Sequence, residues 1–318
     1  MSLASRTVGV VVPCFNEGHL IDRVLTTMPP FVDRVIVVDD ASVDDTAQVA
    51  RSAAARLEVP VDVLRHDRNL GVGAAIVSGY RHCLHLGLDV VAVMAGDGQM
   101  APEDLRSVVE PVATGAADFV KGNRLFYEAA WKVVPRYRYV GNLFLSLFTK
   151  IASGYWHIAD SQSGYTAVSR QALAQLDLDG LYSHYGFPNH LLIKLNVVNA
   201  RVRDVPVRPI YRVGEKSGLR LWRVVPALSL LLVRGFFWRL LHKYVIRNFH
   251  PLVLFYACGL SLLPLGAAWG LALVILRIVQ GPVSATSALL AALLVISGLQ
   301  LLLFAMWFDY QDNSHLRA

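Results

Sequence analysis

Charge is scarce in this chain. Only 17% of its 318 residues are Asp, Glu, Lys or Arg, against about 25% in ordinary soluble domains. With 54% hydrophobic residues, the chain is too apolar to be wholly water-soluble. Cysteine is equally rare. Cys14, Cys83 and Cys258 are odd in number, far apart and without metal-ligand spacing, which excludes a disulfide framework and suits a reducing cytosol. No nucleic-acid motif accompanies the net charge of +6. Much of that excess lies at Arg220, Arg223, Arg234, Arg239, Lys243 and Arg247, between Leu, Phe and Trp. Basic residues on apolar helices suit anionic lipid headgroups, so no nucleic-acid partner is expected. The apolar run Val8–Pro13 is too short for a signal-peptide core, and no cleaved export signal is expected. There is no internal repeat and no low-complexity segment.

The apolar excess is concentrated in one half. Up to about Val213 short apolar runs alternate with polar loops; beyond Leu219, Leu, Val, Ala, Phe and Trp dominate. Residues 251–276 and 281–308 hold no charged residue, and each exceeds the roughly 20 residues that cross a bilayer core. The Gly281-Pro282 break predicts a membrane hairpin. Basic residues before it place both termini in the cytoplasm, and Arg277 at the tip opposes this only weakly. Leu219–Ile246, punctuated by Arg and by Pro226, reads as interfacial helices rather than a third span. An amphipathic helix covering the first domain is the alternative. The expected organisation is an α/β domain over 1–216, juxtamembrane helices over 217–250, two transmembrane helices over 251–308 and a cytoplasmic tail over 309–318. The expected location is the cytoplasmic membrane, multi-pass, with the α/β domain on the cytoplasmic side.

Within the first half, Val8–Val12, Arg34–Val38, Val61–Leu64 and Val90–Met94 are short Val-rich runs. Helical stretches near Glu17–Met28, Asp44–Arg56 and Val72–Leu86 separate them. Runs with little polar alternation fit strands covered on both faces, and the βαβα order predicts a doubly wound parallel sheet. From Asp118 the pattern becomes mixed: strands at Asp118–Lys121, Gly164–Val168 and Val202–Val207, and helices over Arg136–Ser153 and Phe187–Leu195. Ligands in such sheets gather beyond the carboxyl ends of the strands. Those ends are Pro13–Glu17, Asp39–Asp44, His66–Gly73 and Ala95–Gln99, which are also the polar and glycine-rich segments.

Val10-Val-Val-Pro-Cys-Phe-Asn-Glu17, Val37-Val-Asp-Asp-Ala-Ser-Val-Asp-Asp-Thr46, Arg68-Asn-Leu-Gly-Val-Gly-Ala-Ala75, Met94–Glu103, Gly122-Asn-Arg124 and Asp160-Ser-Gln-Ser-Gly-Tyr165 resemble, in order and spacing, the motifs of family 2 glycosyltransferases. The branch they resemble is that of dolichol-phosphate mannose synthase, over roughly residues 8–216. The resemblance implies a GT-A type fold, a nucleotide-binding α/β sheet with a metal-binding loop. It also implies a nucleotide-sugar donor (GDP-mannose, UDP-glucose or a UDP-N-acetylhexosamine) and a polyprenyl phosphate acceptor, with inversion at the anomeric carbon. Hairpin-anchored relatives allow dimers and tetramers, so a homo-oligomer is an open expectation.

Pro13, Phe15 and Glu17 would then line the base and ribose pocket, with Asp39 and Asp40 accepting from ribose hydroxyls or base N–H groups. Asp44 reads rather as a cap of the following helix. Arg68, Gly71 and Gly73 belong to a loop that lets backbone approach the nucleotide. Their Gly-x-Gly follows the third strand and lacks the third glycine of a dinucleotide fingerprint. In the family's Asp-x-Asp-x-Gln pattern, Asp97 and Gln99 fall on the second Asp and the Gln, while Ala95 replaces the first Asp. They are the expected ligands of Mg²⁺ or Mn²⁺, with the donor diphosphate completing the shell. The alternative is that Asp97 caps a turn in a metal-independent or inactive relative.

On the acceptor side, Arg124, Arg138, Arg212 and Lys216 are the candidate cations, with Asn142 and Ser163 as neutral donors. Arg138 and Asn142 stand four apart on a helix and share a face. By resemblance, the loop carrying Arg212 and Lys216 closes over the donor diphosphate. Asp97, Arg124 and Arg138 are the expected catalytic residues, with Arg138, Asn142 and Ser163 on the acceptor phosphate. Gly186-Phe-Pro-Asn-His190 stands where many relatives carry an acidic pair, which favours an already ionised phosphate acceptor, though His190 is a base of another kind. The rivals are a processive polysaccharide synthase, whose Gln-x-x-Arg-Trp motif is missing here, and a catalytically inactive membrane scaffold.

Overall fold

The computed structural model describes residues 6–126, 136–210 and 221–318. It divides into two compact units, residues 1–236 with 315–318, and residues 237–314.

The first unit is built on seven strands: β1 (Val8–Cys14), β2 (Arg34–Asp39), β3 (Val61–Arg65), β4 (Val90–Val93), β5 (Phe119–Asn123), β6 (Thr166–Ser169) and β7 (Val202–Pro206). They lie in the order β3-β2-β1-β4-β6-β5-β7. β6 runs antiparallel to β4 and β5, and the remaining pairs are parallel. Alternate side chains serve opposite faces. Val10, Val12, Val35 and Val37 join one apolar core, with Ile21, Leu25 and Val108. Val11, Ile36 and Val38 join the other, with Tyr80, Phe187 and Leu191. Burial on both faces explains why the sequence shows unbroken Val-rich runs.

The helices of this unit are α1 (Ile21–Thr26), α2 (Thr46–Ala54), α3 (Val72–His85), α4 (Leu105–Ala113), α5 (Arg136–Ser153), α6 (Arg170–Ala174) and α7 (Phe187–Val197). The helix expected from Glu17 starts only at Ile21, and the N–H groups of Glu17 and Gly18 ahead of it donate to Thr46 Oγ1 (2.8 Å) and Asp44 Oδ2 (3.2 Å). Helix α4 had no counterpart in the sequence reading.

Beyond residue 220 come α8 (Leu221–Leu241), which runs into a π-helical turn over His242–Arg247, then α9 (Leu252–Gln280) and α10 (Ala285–Asp312). Among the described residues three helices are long and apolar enough to cross a membrane, Val224–Arg247 included, where the sequence reading expected two spans and interfacial helices. The second unit supplies the reason. Arg239 and Lys243 interrupt the apolar run in sequence, but both are buried. Arg239 Nη1 and Nη2 grip Asp309 Oδ1 and Oδ2 at 2.8 and 3.0 Å. Lys243 Nζ donates to Asn313 Oδ1 (2.7 Å), and the Tyr244 hydroxyl donates to Asp309 Oδ1 (2.8 Å). Charges paired inside protein do not oblige the helix to lie at an interface. In the hairpin, a Cβ on Gly298 would stand 2.5 Å from the Leu263 backbone nitrogen, so glycine sets the close approach of α9 and α10.

Asp309→Ala strands the Arg239 guanidinium and is expected to cost about 3–5 kcal/mol of stability, read from denaturant titrations in bicelles. The double substitution Arg239→Leu with Asp309→Leu is expected to recover most of that loss.

Candidate active site

The ends of β1 and β2 form one side of the site. Asn16 and Ala41 adopt left-handed backbone at φ 58° and 60°, an unfavourable conformation for residues with a side chain that the surrounding bonds hold in place. Asn16 N–H donates to Ser42 Oγ and Val43 N–H to Asn16 Oδ1, both at 2.9 Å, so the two loops move as one. Asp39 is fully buried. Its Oδ1 accepts from Ser42 N–H (3.0 Å), and its Oδ2 stands 3.2 Å from Arg65 Nε. That second oxygen has no aligned hydrogen bond among the described residues, and it can accept from a hydroxyl or base N–H. Asp40 is used differently. Its carboxylate takes His66 Nδ1 (2.7 Å), Leu70 N–H (2.9 Å) and Gly71 N–H (2.7 Å), and so shapes the 66–71 loop. Phe15 stands 44% exposed at the mouth, an aromatic face open to a planar ring. Arg68 is exposed at the rim, and Pro13 is buried in β1.

The N-cap of α2 is Asp45, not Asp44, and it makes no side-chain cap bond; Asp44, one residue earlier, accepts from the Thr46 N–H at 3.1 Å. Burial works to raise its carboxyl, but the bonds from Thr46 and Gly18 outweigh burial and hold it below the usual range. The Gly-x-Gly segment is packed against protein. Gly73 and Ala74 N–H donate to the Ser183 carbonyl (2.7 and 3.3 Å), and a Cβ on Gly73 would meet the Tyr182 carbonyl at 2.4 Å. Gly71 takes φ +97° at the same crossing. The helix N-terminus that would cradle a phosphate in a dinucleotide fold is filled by a backbone carbonyl.

β4 delivers the central turn. Gly96 N–H donates to the Pro13 carbonyl (3.1 Å), tying this turn to β1, and Asp97 Oδ1 accepts from Gln99 N–H (3.0 Å). Glu17 is pushed up to about 7 by burial, then by the negative charges of Asp97 and Asp44. A carboxyl raised by the negative charges beside it marks a place where a cation is favoured. The carboxylate of Asp97 and the amide oxygen of Gln99 are hard donors of the kind Mg²⁺ and Mn²⁺ take. Among the described residues no three His, Cys, Asp or Glu side chains form a metal cluster. The protein therefore fits such an ion as a partial shell, to be completed by substrate oxygens and water.

The other side is cationic. Asp97, Gln99, Arg124, Ser163, Tyr165 and Arg208 line one recess. Arg124 forks onto Asp160, Nε to Oδ2 at 2.8 Å and Nη2 to Oδ1 at 3.1 Å. Asp160 is fully buried; burial raises its carboxyl, but Arg124 and Lys121 outweigh this and keep it below the usual range. Lys121, buried in β5, donates to the Ser163 carbonyl and is pushed down to about 8 by burial against the pull of Asp160 and Asp204. Asp204 is pushed up to about 6 by burial, although Ala159 N–H and Asn123 Nδ2 donate to it. Arg208 spans the 97–104 loop by pairing with Glu103 (3.1 Å) and Asp104 (3.2 Å).

The structure thus gathers Asp97, Gln99, Arg124 and Ser163, and sets Asp39, Asp40, Glu17 and Phe15 on the neighbouring strand ends. The side chains of Arg138 and Asn142 lie outside the described residues, as do Arg212 and Lys216. Lys121, Asp160, His66 and Arg208 were not singled out from sequence. Lys121 alone carried a signal, a charge inside an apolar strand.

His190 is committed elsewhere. Its Nδ1 accepts from Tyr182 N–H (3.0 Å), and burial, then Lys194, push it down to about 4. Between about pH 6.5 and 4 the unfolded chain binds a proton that the folded site refuses, so stability falls as pH is lowered through that window. The stability difference between the protein and His190→Asn should shrink across it, read by thermal unfolding at each pH.

The glycosyl transferase family 2 model matches residues 9–177. The chain is 29% identical to the UDP-N-acetylglucosamine–dolichyl-phosphate N-acetylglucosaminyltransferase of Methanococcus voltae, covering 66% of this chain and 88% of that one. It is 32% identical to the undecaprenyl-phosphate mannosyltransferase of Micrococcus luteus, covering 65% and 85%. Among solved structures it resembles glucosyl-3-phosphoglycerate synthase of Mycobacterium tuberculosis in complex with Mn²⁺, UDP and glucosyl-3-phosphoglycerate, at TM-score 0.53 and 22% identity over 74% of this chain and 80% of that one. That likeness shows the GT-A fold. With the family model covering more than half of its length, the chain belongs to glycosyltransferase family 2 and is an enzyme of sugar transfer.

Proposed function

We propose that this enzyme transfers a hexose-type sugar from a nucleotide-sugar to a polyprenyl phosphate, with inversion, at the cytoplasmic face of a membrane that its C-terminal helices anchor it to. The observation that carries the reading is the chemistry of the acceptor side. His190, the one base in the 186–190 stretch, is made a weak base by burial and Lys194, and its Nδ1 is taken by the Tyr182 N–H. Arg124 is presented to the recess by a bidentate pair. A hydroxyl acceptor needs a base to remove its proton, whereas a phosphate monoester arrives ionised and needs cations. The M. voltae and M. luteus relatives are named for lipid phosphate acceptors, which supports the same choice. The apolar helices supply a setting in which a lipid acceptor is locally concentrated.

In this reading the nucleotide rests on Phe15, Pro13 and the Asp39 carboxylate. Asp40 keeps the 66–71 loop, with Arg68, in shape. Asp97 and Gln99 hold a divalent ion, which when bound offsets charge on the departing diphosphate. Arg124, with Ser163 beside it, holds the acceptor phosphate, and Arg138, Asn142, Arg212 and Lys216 add donors from segments whose side chains lie outside the described residues. The two phosphate groups repel, and the guanidinium between them lowers the barrier by stabilising the spread charge.

Membranes containing the enzyme, given polyprenyl phosphate and each radiolabelled nucleotide-sugar in turn, should yield label extractable into organic solvent. Label retained as polymer would favour the processive synthase, and no label from any donor the inactive scaffold. His190→Asn should lose less than about tenfold in kcat, since removal of a true general base costs about 10²–10⁴-fold. Thermal stabilisation by the nucleotide should increase with Mn²⁺, and Asp97→Ala should abolish the Mn²⁺-dependent part. An unchanged response would remove Asp97 from the metal site.

A further inference from the structure

Helix α5 is built inside out. In a water-exposed helix the apolar stripe faces the core and the polar face meets solvent. Here Ser146, Thr149 and Ser153 are 3%, 1% and 1% exposed, while Leu143, Phe144, Leu147 and Phe148 are 45%, 63%, 48% and 58% exposed. The two sets are opposite faces of one helix: 143, 144, 147 and 148 repeat at i, i+1, i+4 and i+5, and 146, 149 and 153 at i, i+3 and i+7. The inward hydroxyls are engaged. Ser146 Oγ lies 3.2 Å from Ser161 Oγ, and Thr149 Oγ1 accepts from Asn189 Nδ2 at 2.6 Å. Four large apolar side chains in one contiguous patch, backed by satisfied hydroxyls, are not the scattered exposure that soluble surfaces tolerate.

The geometry points to the outer face of α5 as a docking surface for the acyl-chain boundary of an anionic bilayer. Three observations select lipid over a second copy of this chain. The helix sequence, Arg136 to Ser153, contains no acidic residue and carries Arg136, Arg138 and Lys150, so its charge complements anionic headgroups. Phe and Leu on one face with basic residues on the same helix is the composition of an in-plane interfacial helix. The same chain carries helices of membrane-crossing length and polarity, so a bilayer is the surface at hand. This docking goes beyond the proposed reaction and holds whichever acceptor the enzyme takes. Its consequence is positional: the lipid-facing helix bonds through Ser146 and Thr149 to Ser161 and Asn189, so the loop following Asp160 is tied to an element seated at the lipid boundary.

The test uses the full chain with Cys258→Ser, since Cys14 and Cys83 are buried and Cys258 is exposed. Phe144→Cys and, separately, Phe148→Cys are labelled with bimane in nanodiscs of phosphatidylcholine and phosphatidylglycerol. Glu110→Cys on the exposed side of α4 is the water-facing control. Lipids brominated along the acyl chain should quench the α5 labels at least threefold more strongly than the control. Quenching equal to the control overturns the docking. Shielding from aqueous iodide without bromolipid quenching also overturns it, because protein would then be covering the face. If one α5 variant fails to fold, the other position gives the same reading.

Discussion

The cationic side of the recess depends on one buried carboxylate. Asp160 has no exposure to water, and a lone charge there would be too costly to keep. It persists because Arg124 satisfies it in a fork and Lys121 adds positive charge beside it. The arrangement works in both directions. Asp160 is held ionised, and Arg124 is held in a single orientation at the wall it shares with Asp97, Gln99 and Ser163. A pre-oriented guanidinium meets an incoming phosphate without first losing side-chain freedom. Lys121, anchoring the Ser163 carbonyl from beneath, extends the same rigidity into the loop after Asp160.

Across the recess the charge is reversed. Asp39, Asp40, Asp44, Glu17 and Asp97 gather where β1, β2 and β4 end, and Glu17 is raised to about 7 by burial and then by the charges of Asp97 and Asp44. Most of these carboxylates are occupied with protein. Asp40 shapes a loop, Asp44 accepts from the Thr46 and Gly18 N–H groups, and Asp39 gives one oxygen to Ser42. What remains for chemistry is an anionic wall that favours a cation, facing a cationic wall that favours phosphate. The proposed transfer between two phosphate-bearing partners calls for that polarity.

Much of this was legible in the sequence because it is local. Strand runs of Val, the polar segments after them and the order of the motifs all report residues near one another in the chain. The limits of α5 were read correctly from its pattern. What escaped was set by partners far apart. Helix α1 is shorter than its periodicity, and the N–H groups before it are tied to Thr46 and Asp44 in the next polar segment. The glycines of the Gly-x-Gly segment read as a loop that lets backbone approach the nucleotide, and nothing local announced that the chain near 183 packs against them. Arg239 and Lys243 argued against a third long apolar helix until Asp309 and Asn313, some 70 residues on, appeared beside them. The dependence of Arg124 on Asp160 was hidden for the same reason.

Two segments of this chain obey one solvent rule in opposite guises. In α8 and α10 the charges turn toward each other, and Arg239 and Asp309 meet out of contact with the surroundings. In α5 the hydroxyls turn inward and the phenylalanines outward. Both patterns are errors for a helix in water, where exposed charge costs nothing and exposed Phe is penalised. Both are minima where the surroundings are hydrocarbon, because there an unpaired polar group costs most and an apolar side chain costs least. That two independent segments are inverted in the same sense argues for a common cause in the solvent rather than separate accidents of packing. The same rule fits the scarcity of charge met at the outset: surface that meets lipid has few positions where an unpaired charge is tolerated.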